Sequence, residues 1–160
     1  MIDFEIHGLP VPQGSARAFV VKGHAVITSA NKGLKSWRRL VAETAREYAP
    51  PVRWDGPVGV TLAFRLPQPP SRPTTAGRGH RKRVLRIWPD RRPDLDKLVR
   101  GILDGLTGVI FADDSQVVAI QATKDYGVPG VTVQVWQLNL AITLEPMLER
   151  LVQRAFSSMQ

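Results

Sequence analysis

The 160 residues predict one α+β domain, a mixed β-sheet packed by helices. Two runs of alternating apolar residues mark strands, since side chains of a strand point to opposite faces in turn. Two longer runs with three- and four-residue steps mark amphipathic helices. A chain of this length is enough to bury one sizeable core.

Taken in order, Ile2, Phe4 and Ile6 alternate as a first strand. Residues 17–28, RAFVVKGHAVIT, form a hairpin that turns at Lys22-Gly23. From Asn31 to Tyr48 a helix presents Leu34, Trp37, Val41, Ala45 and Tyr48 on one face, with Lys35, Arg38, Arg39, Glu43 and Arg46 on a solvated one. Val58, Val60, Leu62, Phe64 and Leu66 alternate as the next strand. Residues 67–83 hold four prolines and two glycines and predict a mobile basic loop within the domain. A short strand follows at 84–88, then a helix from Asp94 to Thr107 with Leu95, Leu98, Val99, Ile102, Leu103 and Leu106 on its apolar face. Strands at 116–124 and 131–138 flank a turn at Tyr126-Gly127, and a helix at about 145–157 closes the domain, which spans 1–160 without an internal repeat.

The chain has no cysteine, which excludes disulfides and thiolate metal sites. His7, His24 and His80 lie far apart, with no zinc-ligand spacing. A catalytic centre must therefore use oxygen ligands, lysine, arginine or hydroxyls. The start, MIDFEIHGLP, carries acids where a signal peptide carries bases, and no apolar run approaches membrane-spanning length. The expectation is a cytoplasmic protein with no membrane partner.

Lys and Arg total 22 against 14 Asp and Glu, a net charge of +8, which favours a polyanionic partner. The distribution says more. Nine bases and one acid lie between Arg65 and Arg92, and six of the 14 acids lie between Asp94 and Asp125. A basic strip running into an acid cluster suits a phosphate-binding metal site: the bases hold the backbone and the acids hold the cation.

Within Arg91 to Val118 the acids stand as Asp94-Leu95-Asp96 at a helix start and Asp113-Asp114 before a strand. Each piece alone has an ordinary structural reading. Aspartate caps helices and suits turns, and Asp96 with Arg100, or Arg100 with Asp104, has the spacing of a helical surface ion pair. Pro93 disfavours helical geometry at Arg92 and leaves Asp94 before the helix with a non-helical backbone. From there it can converge with Asp96 on one ion. The return Gly108–Ala112 can bring Asp114 back to the same end.

The pattern R-P-D-L-D-x-L, then I-L-D-G-L, then G-V-I-F-x-D-D-S-Q-V resembles the signature of the RusA family of Holliday-junction resolvases. The opening GLPVPQGSARAF and LKSWRRLVAETA resembles its phage-type members, so the likeness covers roughly residues 5–125 and is weakest over 67–83. It implies a RusA-like homodimer in a bacterial host cytoplasm, of phage or prophage origin. It implies Mg²⁺, with Mn²⁺ as a substitute and no small-molecule cofactor, held by Asp94, Asp96 and Asp114, with Asp113 as an outer or alternate ligand. The family's lysine four residues after the second aspartate is Arg100 here, which keeps the charge but cannot donate a proton as lysine does. The family's D-x-D-N reads D-L-D-K, putting Lys97 where an asparagine is usual.

The implied reaction is paired phosphodiester hydrolysis that resolves four-way and other branched DNA. Lys97, Arg91 and Arg92 would hold DNA beside the acids, and Arg78, Arg81, Lys82 and Arg83 would hold it from the loop. Gln13, Ser15 and Arg17, on a glycine-containing segment, are candidates for phosphate contact through backbone N–H groups. The four tryptophans are read as core or subunit interface rather than stacking platforms. Two rival readings remain open from the sequence. One is a non-catalytic basic nucleic-acid-binding protein whose acids are caps and turns. The other is a nucleotide phosphohydrolase, which leaves the basic loop without a purpose.

Overall fold

Residues 1–138, apart from 15, 22–23, 30, 73–74, 77–78 and 85–86, are described by a computed structural model, with backbone alone for 16–21, 25–29, 79 and 83–84. The expected C-terminal helix and the hairpin's turn lie outside the described residues.

The central sheet contains β1 (Ile2–His7), β4 (Val58–Leu66), β7 (Val117–Tyr126) and β8 (Gly130–Gln137), in the order β1-β8-β4-β7. β8 runs antiparallel to both neighbours, while β4 and β7 are parallel, so the sheet is mixed. β2 (Ala16–Val21) and β3 (His24–Ser29) pair as a separate hairpin. Helices α1 (Leu34–Tyr48) and α2 (Leu95–Leu106) cover one face of the sheet. Among the described residues no helix is long and apolar enough to cross a membrane. The architecture is the α+β domain that the periodicities predict.

The core forms where the alternating strands meet the helical stripes. Val60, Leu62 and Phe64 of β4 and Val133 of β8 are buried against Trp37 and Val41 of α1 and Ile102 and Leu106 of α2. Burying each such aliphatic or Phe side chain stabilises by about 1.5–3 kcal/mol. An exposed ion pair contributes about 0–1 kcal/mol. Apolar faces therefore set where α2 sits, and its charges do not. The helices approach closely at Gly105, where an added Cβ would lie 2.6 Å from Val41 Cγ1.

Several expectations shift in detail. β7 runs through Tyr126, so the chain turns over 127–129 rather than at Tyr126-Gly127. Parallel pairing to β4 extends the strand, with Leu66 opposite Tyr126. Of the strand expected at 84–88, Val84 lies in β6 (Arg83–Val84), paired with β5 (Thr75–Ala76), Ile87 and Trp88 lie in no strand, and 85–86 fall outside the described residues. The loop at 67–83 thus carries a two-residue ladder and a 3₁₀ turn at Gly79–Arg81. Arg38, read as solvated, is half-buried and paired with Asp104, which removes Asp104 from the expected pair with Arg100. Tyr48 is partly exposed, yet its ring stacks on Phe4 with centroids 5.2 Å apart.

Candidate active site

The approach to α2 is held from across the sheet. Lys124 of β7 donates from Nζ to the carbonyls of Arg91 and Pro93, both at 2.9 Å. These bonds fix the segment that carries the basic pair Arg91-Arg92, where the Arg92-Pro93 peptide is cis. Asp94 follows with extended backbone (φ −69°, ψ 137°), and its carbonyl accepts the Leu98 N–H that begins the helical ladder. It therefore occupies the N-cap position, as the proline predicts. Its side chain makes no cap hydrogen bond. Instead, its Oδ2 accepts from Lys97 Nζ at 2.8 Å, one turn along. That contact, with the nearby charges of Lys97, Arg92 and Lys124, holds the Asp94 carboxyl below the usual carboxylate range.

Asp96 points to the other flank of the helix, because residues two apart on a helix do not share a face. Arg100, four residues on, does share it. Together with Leu95, Val99 and Leu103 they form one wall of an open cleft of about 530 Å³. Ile120 and Ala122 of β7 also line it, and so does Asp114. Asp96, Arg100 and Asp114 make no side-chain hydrogen bond or ion pair with another described residue.

Asp114 reaches this cleft through a tight return. Gly108, at φ +77°, turns the chain where a side chain would be strained, and Ile110 and Phe111 then bury completely. Asp113 caps the short helix Asp114–Gln116, its Oδ1 accepting the Ser115 N–H at 2.9 Å, which lowers its pKa. Gln116 completes a capping box by accepting the Asp113 N–H at 2.9 Å. The same amide donates to the Gly56 carbonyl at 2.9 Å and the Trp54 carbonyl at 3.2 Å, tying the acids to the loop before β4.

Asp96, Arg100 and Asp114 are thus brought together, Asp94 stands on the other side of α2's first turn, and Asp113 faces its own cap. Among the described residues no three Asp, Glu, His or Cys side chains gather so as to hold a metal ion. The donor chemistry of the cleft nonetheless fits Mg²⁺, which is commonly held by one or two carboxylates with water and phosphate completing the shell. A third ligand from Asp94 would first have to leave Lys97.

The other expected DNA contacts are scattered. Arg91, Arg92, Arg81 and Lys82 are exposed. Gln13 is committed to the fold: its Oε1 accepts from Arg38 at 3.1 Å and its N–H donates to the Lys97 carbonyl at 2.9 Å. Ser15 and Arg78 lie outside the described residues, and Arg17 and Arg83 are described by backbone alone. Trp37 is core, Trp54 packs against it, and Trp88 is exposed. Sequence reasoning passed over Lys124 and Gln116. The Asp-x-x-Gln spacing of a capping box signals the second, whereas nothing local signals a lysine that serves a segment some thirty residues earlier.

Comparison with known proteins adds two findings. The family described as Endodeoxyribonuclease RusA matches residues 8–136. The chain is also similar to the uncharacterized protein YqaN of Bacillus subtilis (strain 168), at 30% identity over 139 residues, 86% of this chain and 97% of that protein.

Proposed function

The chain belongs to the RusA family of endodeoxyribonucleases, and from that premise we propose that it resolves Holliday junctions and other branched DNA by Mg²⁺-dependent phosphodiester hydrolysis. The observation that carries this reading is the cleft where Asp96, Asp114 and Arg100 meet without side-chain partners. Two carboxylates and a guanidinium converge on one concavity, a set that suits a divalent cation held together with a phosphate. Asp96 and Asp114 would hold the ion, joined by Asp94 once a substrate phosphate draws Lys97 away, with Asp113 behind them. When bound, Mg²⁺ supplies a more acidic water and offsets charge on the phosphate. Arg100 adds fixed positive charge at the reacting phosphate. Lys97, Arg91 and Arg92 hold the adjoining backbone.

The bases of segment 67–83, Arg78, Arg81, Lys82 and Arg83, would hold phosphates without reading sequence. A homodimer would present two identical sites about one axis, which suits paired nicks in a nearly two-fold junction. Val118 on edge strand β7 and Trp88 are exposed large hydrophobics and are suited to that contact, as is the C-terminal helix the sequence predicts. The setting we infer is bacterial cytoplasm, with a phage or prophage gene.

Adding Mg²⁺, Mn²⁺ or Ca²⁺ to the protein with four-way, nicked and linear DNA tests this directly. Cutting of the junction in Mg²⁺ or Mn²⁺, tight binding without turnover in Ca²⁺ and loss of cutting in EDTA are expected. Binding with no cleavage in any metal would make it a binding protein, and hydrolysis of free nucleotides alone would make it a phosphohydrolase.

A further inference from the structure

The first turn of α2 stands between two cavities. Asp96 and Arg100 line the acid cleft, whereas Asp94 and Lys97 line a second and larger cavity of about 820 Å³. Its walls are apolar and stiff. Six prolines line it (Pro10, Pro12, Pro67, Pro69, Pro89 and Pro93), together with the ring of Tyr126. Each pyrrolidine ring fixes its own φ. Walls built this way are set before a ligand arrives, and little ordering is left for binding to oppose.

The cations on this cavity are of the opposite character. Arg91 and Arg92 line it, and neither forms an ion pair among the described residues, although the Arg92 charge acts on nearby Asp94. Arg72 is paired with Asp90, and Lys97 with Asp94. A largely proline-lined interior with guanidinium groups outside any ion pair suits a ligand that joins a planar ring to phosphate. The volume falls within the roughly 300–1,000 Å³ that encloses small organic ligands, nucleotides included. Bases stacked in a duplex offer only their edges to the grooves. A base can enter such a cavity only after it leaves the stack, and leaving is easiest where pairing is already interrupted, as at a branch point.

We propose that this cavity receives one unstacked nucleotide from the branch point, with its base against Tyr126 and the proline rings and its phosphates at Arg91 and Arg92. This rests on the reading of the chain as an enzyme of branched DNA and deepens it. A nucleotide seated there leads its neighbouring phosphate over the first turn of α2 toward the acid cleft. The branch is then recognised by the protein's own shape, with no base sequence needed.

The test is a four-way junction carrying 2-aminopurine at one nucleotide after another around the branch, titrated with the full chain in Ca²⁺. Emission should rise at a flanking position of the junction and stay level in a linear duplex of the same sequence. Tyr126→Ala should weaken junction binding by about 5- to 150-fold, the range of one lost base–aromatic stack, and leave duplex binding unchanged. Ser71→Trp, placed on the cavity lining, should abolish the rise. The wild-type scan needs no variant, so misfolding of either cannot shelter the idea. Level emission at every position of a tightly bound junction overturns the cavity proposal and leaves the resolvase reading standing. A rise that survives both substitutions also overturns it, because the nucleotide would then be held elsewhere. A junction bound no better than linear duplex overturns both readings.

Discussion

Two pairs of aspartates bracket α2, and within each pair the two carboxylates have different occupations. Asp94 is held by Lys97 and Asp113 by the Ser115 N–H, and both are thereby more acidic than usual. Asp96 and Asp114 make no such contact and line one cleft. The engaged members differ from each other as well. Asp113 accepts from a backbone amide inside a capping box, and it cannot leave without opening that turn. Asp94 accepts from the end of a flexible, part-exposed lysine, for which any phosphate can compete. One carboxylate is committed to the fold, and the other is held only by a side chain that a phosphate could draw away.

The largest effect should come from the free pair. Asp96→Asn and Asp114→Asn each keep size and shape but remove a charged oxygen ligand. Cutting of a four-way junction should fall beyond the 10–100-fold typical of residues that act on a metal only through its ligands, roughly to the detection floor. Junction binding should hold or tighten, because a negative charge beside phosphate is gone. Near-normal cutting by both variants would return these acids to surface decoration.

Much of this comparison was legible before any coordinates. The stripe Leu98, Ile102 and Leu106 placed α2, and Pro93 placed Asp94 ahead of it, because both depend on neighbours in sequence. The Gly108 turn brought Asp114 back to the cleft as the short return allowed. What could not be read was which carboxylate would be captured. Asp94 lost the expected convergence to Lys97, a residue three positions away whose reach depends on a rotamer. Arg38 and Asp104 met only because Gly105 lets the two helices close together. Lys124 reaches the Arg91 and Pro93 carbonyls because β7 pairs in parallel with β4, a non-local choice that no short pattern encodes.

Arg100 sharpens the view of the cleft as a place where charge develops. Arg100→Ala should lower the cutting rate by about 10²-fold, the scale of losing one group that stabilises transition-state charge. Arg100→Lys should recover most of that loss, since the role assigned needs charge at that place rather than a planar fork. Single-turnover rates on saturating junction separate this from weakened binding. If lysine is as poor as alanine, the guanidinium's geometry is what matters.

Lys97→Met tests whether Asp94 is held back. At neutral pH Asp94 is ionised with or without the lysine, because its pKa is lowered from 3.8 chiefly by Lys97 and an exposed carboxyl without that contact is still ionised well below pH 7. Any change in metal affinity therefore reflects the missing cation, not protonation. Mn²⁺ binding, followed by the loss of the free-ion paramagnetic resonance signal, should tighten by up to about fivefold, as suits a part-exposed pair. Affinity for DNA should fall at the same time. Unchanged Mn²⁺ binding would mean that Asp94 stays outside the metal shell.

The smallest effect is expected at Asp113, and its smallness is the point. Asparagine ranks with aspartate as a helix cap, so Asp113→Asn should keep the Ser115 contact, the melting temperature at pH 7 and near-normal cutting. The difference should appear in acid. A carboxyl whose folded pKa lies below 3.8 contributes stability that is fully present above that value and is lost as pH falls through the lower folded one. Asparagine has no such proton to take up. Melting curves recorded between about pH 5 and pH 2 should therefore show the wild type losing ground to the variant as the solution is acidified. If Asp113→Asn instead stops cutting at neutral pH while Asp114→Asn does not, the two neighbours exchange roles. The capping box would then hold a ligand in place rather than a turn.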